Sequence, residues 1–461
     1  MSNEPIRLTF CGGVSTVTGA NFLLEVGPRK ILVDCGLLQG VEYADAINRE
    51  PFPYDPADIE ALFITHAHMD HIGRIGKLVK DGFRGQIYST PATKDLVRPM
   101  LQDALRILDE EARHRGVLPL YETADVELAL SRWQGIEYHS PFDLNGITVY
   151  PKDSGHILGS AMFEFTFPLR QAQGKPPMKI VFTGDLGNSP SLFLRDTDVV
   201  TDATYLVMES VYGDRNHEAK EERRQKLTEI VQDVVKRKRT LIIPAFSLER
   251  TQDMLYELNK LSEEGRISDV RVFVDSPLAT KVTEIYKRYT SDFKESARAH
   301  IAEGDDLFNF PKLKFTEDRR DSEKIDHTAP PKIILAGSGM SNGGRIVRHE
   351  KRYLPNKDAT ILLVGYQTLG TLGRQILDGA KHVTIDGESI EVRAEVKSIM
   401  GYSSHKDSDH LIDFVSASAK TLKKVFVTMG EPKAALFLVQ RLRDYLGVNA
   451  GYPEKGESVE L

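Results

Sequence analysis

The run Thr65-His66-Ala67-His68-Met69-Asp70-His71 constrains this chain more than any other feature. Its three imidazoles and one carboxylate can all ligate a first-row metal ion. Leu62-Phe63-Ile64 ahead of it reads as the end of a buried strand, and Ile72-Gly73-Arg74-Ile75-Gly76-Lys77-Leu78 behind it as the start of a helix. Loops at strand ends are where α/β folds build their sites. Along an extended loop, residues two apart point the same way, so His66 and His68 can grip one ion. Asp70 and His71, one step on, are placed for a second. The bland alternative is a chance gathering of histidines on a polar loop, which fits poorly with only 13 histidines in 461 residues.

The composition excludes several classes. With 41% hydrophobic and 28% charged residues the chain reads as globular. No run approaches the roughly 18 apolar residues that span a bilayer. The N-terminal Met-Ser-Asn-Glu-Pro-Ile-Arg lacks a basic start and an apolar core, so neither a membrane anchor nor a signal peptide is expected. Cys11 and Cys35 lack CxxC spacing and suit two small buried residues in a reducing cytoplasm. A net charge of −7 argues against a broad nucleic-acid-coating surface. It leaves room for nucleic acid in a narrow cleft, where ions and a few Arg and Lys supply the positive field. The basic run Lys236-Arg237-Lys238-Arg239 reads as a helix end, with nucleic-acid contact as the alternative.

Hydrophobic patterning changes style along the chain. The first 200 residues read as many short strands, among them Asn21–Val26, Lys30–Asp34, Ile147–Tyr150, Ala161–Phe165 and Lys179–Phe182, with few helices, one of them over Thr93–Arg115. A polar loop, Arg170–Pro177, is expected to join the last two strands as a hairpin. Beyond residue 205, strands alternate with amphipathic helices. Leu227, Ile230, Val231, Val234 and Val235 recur at helical spacing, as do Met254, Leu255, Leu258 and Leu261. Leu241–Ile243, Val272–Val274, Ile333–Leu335 and Ile361–Val364 are continuous apolar runs suited to a parallel sheet buried on both faces. Short strands return at His382. The expected organisation is a first domain over 1–208, an inserted doubly wound α/β domain over 209–381, and the C-terminal part of the first domain over 382–461.

Two Gly-flanked turns extend the ligand set: His156 in Ser154-Gly155-His156-Ile157-Leu158-Gly159, and Asp185 in Thr183-Gly184-Asp185-Leu186-Gly187. Either alone is an ordinary turn; in order behind the histidine run they complete a metal site. Further motifs are Asp34, Glu209 in Met-Glu-Ser-Val-Tyr-Gly and His405 in Tyr-Ser-Ser-His-Lys-Asp. With the segments 244–252, 275–279, 338–345 and 365–374, they make the chain resemble, over nearly its whole length, the β-CASP nucleases of the metallo-β-lactamase fold. Its flavour is that of the endonuclease subunit of the eukaryotic cleavage and polyadenylation factor and its prokaryotic ribonuclease relatives.

That resemblance implies an α/β architecture, a metallo-β-lactamase αββα sandwich with an inserted doubly wound β-CASP domain. It implies a zinc-dependent ribonuclease acting by a two-metal mechanism, with a metal-bridging hydroxide as nucleophile and a 5′-phosphate left on the product. His66, His68 and His156 would hold one zinc, Asp70 and His71 the second, and Asp185 would bridge both. Asp34 would orient a ligand histidine, or else simply cap the turn at Cys35-Gly36. His405 would be the general acid, paired with Glu209, and Asp70 is counted with them among the catalytic residues; the blander role of His405 is a histidine ahead of a helix near Asp407–Phe414. Ser338, Gly339 and Ser341, with Arg250 and Arg374, would meet substrate phosphates, the first three as a backbone cradle at a helix start.

One position departs from the family pattern. Where RNA-processing members carry a ligand histidine ahead of a Gly-Glu pair, this chain has Met429 in Thr428-Met429-Gly430-Glu431. A thioether is a poor ligand for a hard zinc–carboxylate site, so weaker binding of the second ion is expected. DNA-processing members commonly carry an apolar residue there. Single-stranded RNA is the expected substrate on overall similarity alone, with DNA as the alternative that Met429 favours and a homodimer left open. A non-catalytic RNA-binding scaffold would have lost more ligands, and a lactonase or thioesterase would not need the inserted domain.

Overall fold

The computed structural model describes residues 5–41, 43–167, 177–267, 270–368 and 370–461. The chain forms two compact units: Met1–Ser191 with Arg195–Asn216 and His405–Leu461, and Leu192–Leu194 with His217–Ser404.

The first unit is built on two seven-stranded sheets. One runs in the order Ser458–Glu460, Ile6–Gly12, Asn21–Val26, Arg29–Val33, Ile59–Phe63, Gln86–Ser89, Trp133–Gly135. The other runs Ala450–Gly451, Lys424–Val427, Tyr205–Met208, Met178–Phe182, Ala161–Phe167, Ile147–Asp153, Phe142–Leu144. Strand alternation decides which side chains face which layer. Phe10, Phe22, Val33 and Phe63 of the first sheet share one core with Phe163, Phe165, Phe182, Val207 and Phe426 of the second. The residues between them, Val181, Leu206, Met208, Val425 and Val427, point outward into a separate core. There they meet Leu411 and Val415 of the helix Ser408–Ser416 and Leu438 and Leu442 of the helix Pro432–Leu446. The helices Ile75–Lys80, Pro91–Arg115 and Thr123–Ser131 lie with the first sheet. The expected αββα sandwich results. The strands Ala161–Phe167 and Met178–Phe182 pair antiparallel as the hairpin reading requires; residues 168–176 of its loop lie outside the described residues.

The second unit carries a six-stranded sheet in the order Leu313–Phe315, Arg271–Asp275, Lys332–Ala336, Thr240–Pro244, Ala359–Val364, Glu395–Ile399, parallel throughout. Its three central strands are buried at every residue, which explains their unbroken apolar runs. The motifs at 244–252, 275–279, 338–345 and 365–374 all fall just beyond the carboxyl ends of these strands, where open parallel sheets bind ligands. The sequence pattern assigned 382–404 to the C-terminal part of the first domain. The chain places it in this unit, because Glu395–Ile399 completes the parallel sheet beside Ala359–Val364.

Phe165 lies edge-on to Phe63 at 5.0 Å and to Phe182 at 5.8 Å in the fully closed inter-sheet core. Phe165→Ala is expected to cost about 3–5 kcal/mol of stability, read as a lower urea midpoint for the first unit. A midpoint unchanged from wild type would contradict the packing described.

Candidate metal centre

Each segment with candidate ligands begins where a strand ends. Asp34 follows Arg29–Val33, the histidine run follows Ile59–Phe63, His156 follows Ile147–Asp153, Asp185 follows Met178–Phe182 and Glu209 follows Tyr205–Met208. Asp34 adopts a left-handed φ of 59°. Its buried carboxylate accepts the Thr65 N–H and hydroxyl, both at 2.8 Å, and lies 2.7 Å from His71 Nδ1. The carboxylate therefore reaches across to the histidine loop rather than capping Cys35-Gly36. The main chain adds Cys35 N–H to His71 O at 2.8 Å. A Cβ at Gly36 would sit 1.5 Å from Asp70 O, so only glycine lets the Asp70 backbone seat there.

Three donor groups converge here: Asp185, Glu209 and His405 form one, beside two built on the histidine loop. Of these two, His66, His68, His156 and Asp185 form the first, and Asp70, His71 and Asp185 the second, with the ligand atoms of each group within 4.8 Å of one another. His66 Nε2 and His156 Nε2 stand 3.4 and 3.5 Å from Asp185 Oδ2, whereas His71 Nε2 stands 3.4 Å from Asp185 Oδ1. His68 Nδ1 lies 3.1 Å from His66 Nε2 and 3.3 Å from His156 Nε2. His71 Nε2 and Asp185 Oδ1 are buried without a hydrogen-bond partner among the described residues. Two such atoms facing each other are costly unless something electropositive sits between them, and a metal ion fits that need.

The electrostatics favour ligation at the first group. Burial, reinforced by His71, lowers the pKa of His66. Burial together with neighbouring imidazoles holds His68 and His156 well below the usual histidine range, so each ring is neutral and keeps one nitrogen lone pair free to bind a metal. Burial also opposes a charge on His71, yet Asp185, Asp34 and Asp70 hold its pKa well above the ordinary value. Burial would raise Asp185; His71 and His66 keep it well below the usual carboxylate range.

Beside these groups His405 Nδ1 lies 3.2 Å from both oxygens of the buried Glu209, and its ring is 4.6 Å from that of His156. Glu209 is pinned by N–H donation from Leu186 at 2.6 Å and Val211 at 3.3 Å. Burial works against a charged His405, but Glu209 outweighs it and pushes the pKa up to about 9. The helix behind His405 begins at Ser408 with Asp407 as its cap, so His405 is not the capping residue. Met429 is buried, has a left-handed φ of 44°, and lines a small cavity with Asp34, His71 and Glu209.

The expected phosphate residues lie in the second unit, and the structure corrects part of that reading. The helix after them starts at Arg345, beyond Ser338, Gly339 and Ser341. The N–H groups of Ser338 and Ser341 are taken by Gly343 O and Ser338 O, so they form a turn rather than an open cradle. The Ser341 hydroxyl is buried against Glu350. Arg250 is held by Asp253 at 3.0 Å and Ser404 at 3.2 Å, and Arg374 by Asp378 at 2.9 Å. Sequence reasoning missed Thr65 and Lys406, which carry no ligand chemistry and act only through hydrogen bonds.

Strand-end imidazoles and carboxylates on such a sandwich define a metal-dependent hydrolase. Three family models match successive stretches: a metallo-beta-lactamase superfamily domain over 23–183, a Beta-Casp domain over 251–376, and a Zn-dependent metallo-hydrolase RNA specificity domain over 389–453. A ribonuclease of Thermus thermophilus is 34% identical over 433 residues, 94% of this chain and 95% of its own length. The transcription termination factor FttA of Methanosarcina mazei is 29% identical over 99% of this chain and 72% of its own length. That of Thermococcus kodakarensis is 30% identical over 99% and 71%. A protein of unknown function from Enterococcus faecalis V583 shares the fold, with a TM-score of 0.57 at 14% identity over 99% of this chain and 100% of that one. The chain belongs to the β-CASP family of metallo-β-lactamase-fold nucleases. No helix among the described residues is long and apolar enough to cross a membrane.

His68→Ala is expected to lower bound metal, measured by elemental analysis, while His405→Ala leaves it at the wild-type level. Loss of metal from His405→Ala would move that residue into the ligand set.

Proposed function

We propose that this protein is a zinc-dependent ribonuclease that hydrolyses RNA phosphodiester bonds. In this reading His66, His68, His156 and Asp185 hold one ion, and Asp70, His71 and Asp185 a second. The observation that carries it is the divided Asp185 carboxylate, with Oδ2 turned to His66 and His156 and Oδ1 to His71. Imidazoles with carboxylates are a donor set that suits zinc. The ions would supply water activation near neutral pH and charge neutralisation at the phosphoryl oxygens.

The chain's own residues supply the proton. An alkoxide leaves poorly unless it is protonated as the bond breaks. Glu209 fixes Nδ1 of His405 and favours the imidazolium, so Nε2 is the atom that delivers the proton to the leaving oxygen. The Leu186 and Val211 N–H groups hold Glu209 still, so the ring is oriented before substrate arrives. Of the expected phosphate contacts the proposal keeps Gly339, since Ser338, Ser341, Arg250 and Arg374 already serve protein partners.

RNA is supported by the RNA specificity domain match at 389–453 and by the ribonuclease relative. DNA is the second reading, and Met429 is the observation that favours it. Incubating the zinc-loaded protein with end-labelled single-stranded RNA and DNA of matched sequence is expected to yield RNA fragments bearing 5′-phosphates. Cleavage of DNA alone would install the second reading, and cleavage of neither with zinc bound would sink both.

Met429 also bears on the second ion. A thioether contributes little there, so that ion is held by Asp70, His71 and Asp185 and binds more weakly. Histidine tolerates the left-handed backbone of residue 429. Met429→His is expected to raise affinity for the second ion by on the order of tenfold or more in a zinc titration. An unchanged titration would show that residue 429 does not reach that ion.

A further inference from the structure

We propose that Lys406 is a positioning residue: its buried ammonium fastens the Asp185–Ser189 turn to the segment carrying His405, so that the shared carboxylate and the proton donor keep one geometry. The inference deepens the ribonuclease reading and rests on it. Lys406 directly follows His405 and is only 5% exposed. Its Nζ donates to Gly187 O at 2.8 Å and to Ser189 Oγ at 3.2 Å, both neutral oxygens. Its main-chain N–H donates to Leu186 O at 2.7 Å. Leu186 in turn gives its own N–H to Glu209 Oε1 at 2.6 Å. Gly187 and His405 face each other across a short antiparallel bridge. The residues immediately after Asp185 are thus gripped from one side by Glu209 and from the other by Lys406.

The turn has no slack on its remaining side. Gly187 N–H donates to Ser154 O at 2.8 Å, and a Cβ on Gly187 would lie 1.9 Å from Gly155 O, next to His156. One turn therefore joins the His156 loop, the Asp185 carboxylate and the His405 segment. Burying an ammonium is expensive, and an apolar residue would fill the space at lower cost if packing were the only demand. What an apolar residue lacks is the pair of charge-assisted hydrogen bonds, which are stronger and more directional than contact. Catalytic groups misplaced by about 1 Å can lose on the order of 100-fold in rate, which gives such a clamp its value.

Lys406→Met keeps the volume and removes the donors. In the full, zinc-loaded chain acting on single-stranded RNA, kcat is expected to fall by roughly 10- to 100-fold. KM and bound zinc stay within about twofold of wild type, the pattern of lost transition-state geometry rather than lost binding. Amide exchange across residues 185–189 speeds up. Lys406→Arg restores donors and recovers part of kcat. Ser189→Ala removes one acceptor, gives a smaller loss, and serves if Lys406→Met fails to fold. An unchanged kcat in Lys406→Met, or a fall that tracks loss of zinc, overturns the inference. A wild-type protein that leaves RNA intact would sink the substrate reading instead. The exchange measurement then decides the clamp alone, and unchanged exchange at 185–189 overturns it.

Discussion

The architecture of this site hangs on one buried carboxylate. Asp34 is removed from water, and an ion in that position is tolerable only when donors surround it. Thr65 provides two and His71 faces it as a third partner. In satisfying Asp34 the chain fixes the path of the histidine loop and the ring orientation of His71 together. Because Thr65 O also accepts the Ala161 N–H at 2.8 Å, the same loop stitches one sheet to the other. The loop is thus held at both ends by interactions that stability itself requires.

Much of this was legible in the residues. The histidine run, the Gly-flanked His156 and Asp185, and the period-two and continuous apolar patterns each state a local requirement strongly enough to be read without coordinates. The pairing of Glu209 with His405 was legible only through family resemblance, since no spacing rule links residues so far apart. Supporting hydrogen bonds were not legible. Thr65 and Lys406 are ordinary residue types whose importance comes from where the fold takes them. The loop at 338–341 failed for a related reason: Gly- and Ser-rich sequence does not reveal whether N–H groups point outward or close a turn. The boundary near residue 382 was misplaced because Glu395–Ile399 is an edge strand with exposed polar residues, which hides its membership of a buried parallel sheet.

Met429 departs from the family pattern, and Lys406 is a support that the resemblance did not mark. In the proposed reading, one weakens the donor set around Asp70 and His71 and the other stiffens the turn beyond Asp185. They lie in different strand-end segments and act through different physics, ligand softness in one case and buried hydrogen bonding in the other.

The distance along the chain between Glu209 and His405, 196 residues, has a consequence for assembly. All the imidazole and carboxylate donors of the two groups built on the histidine loop lie at or before residue 185. His405, the proposed proton donor, and the strand Lys424–Val427, second in its sheet, come from the last part to be synthesised. A growing chain could gather metal-binding side chains early, yet it would lack the group that expels the leaving oxygen until the second unit had been made. In the proposed reading, hydrolytic competence is withheld by chain order, and a truncated product would carry ligands without the means to cut.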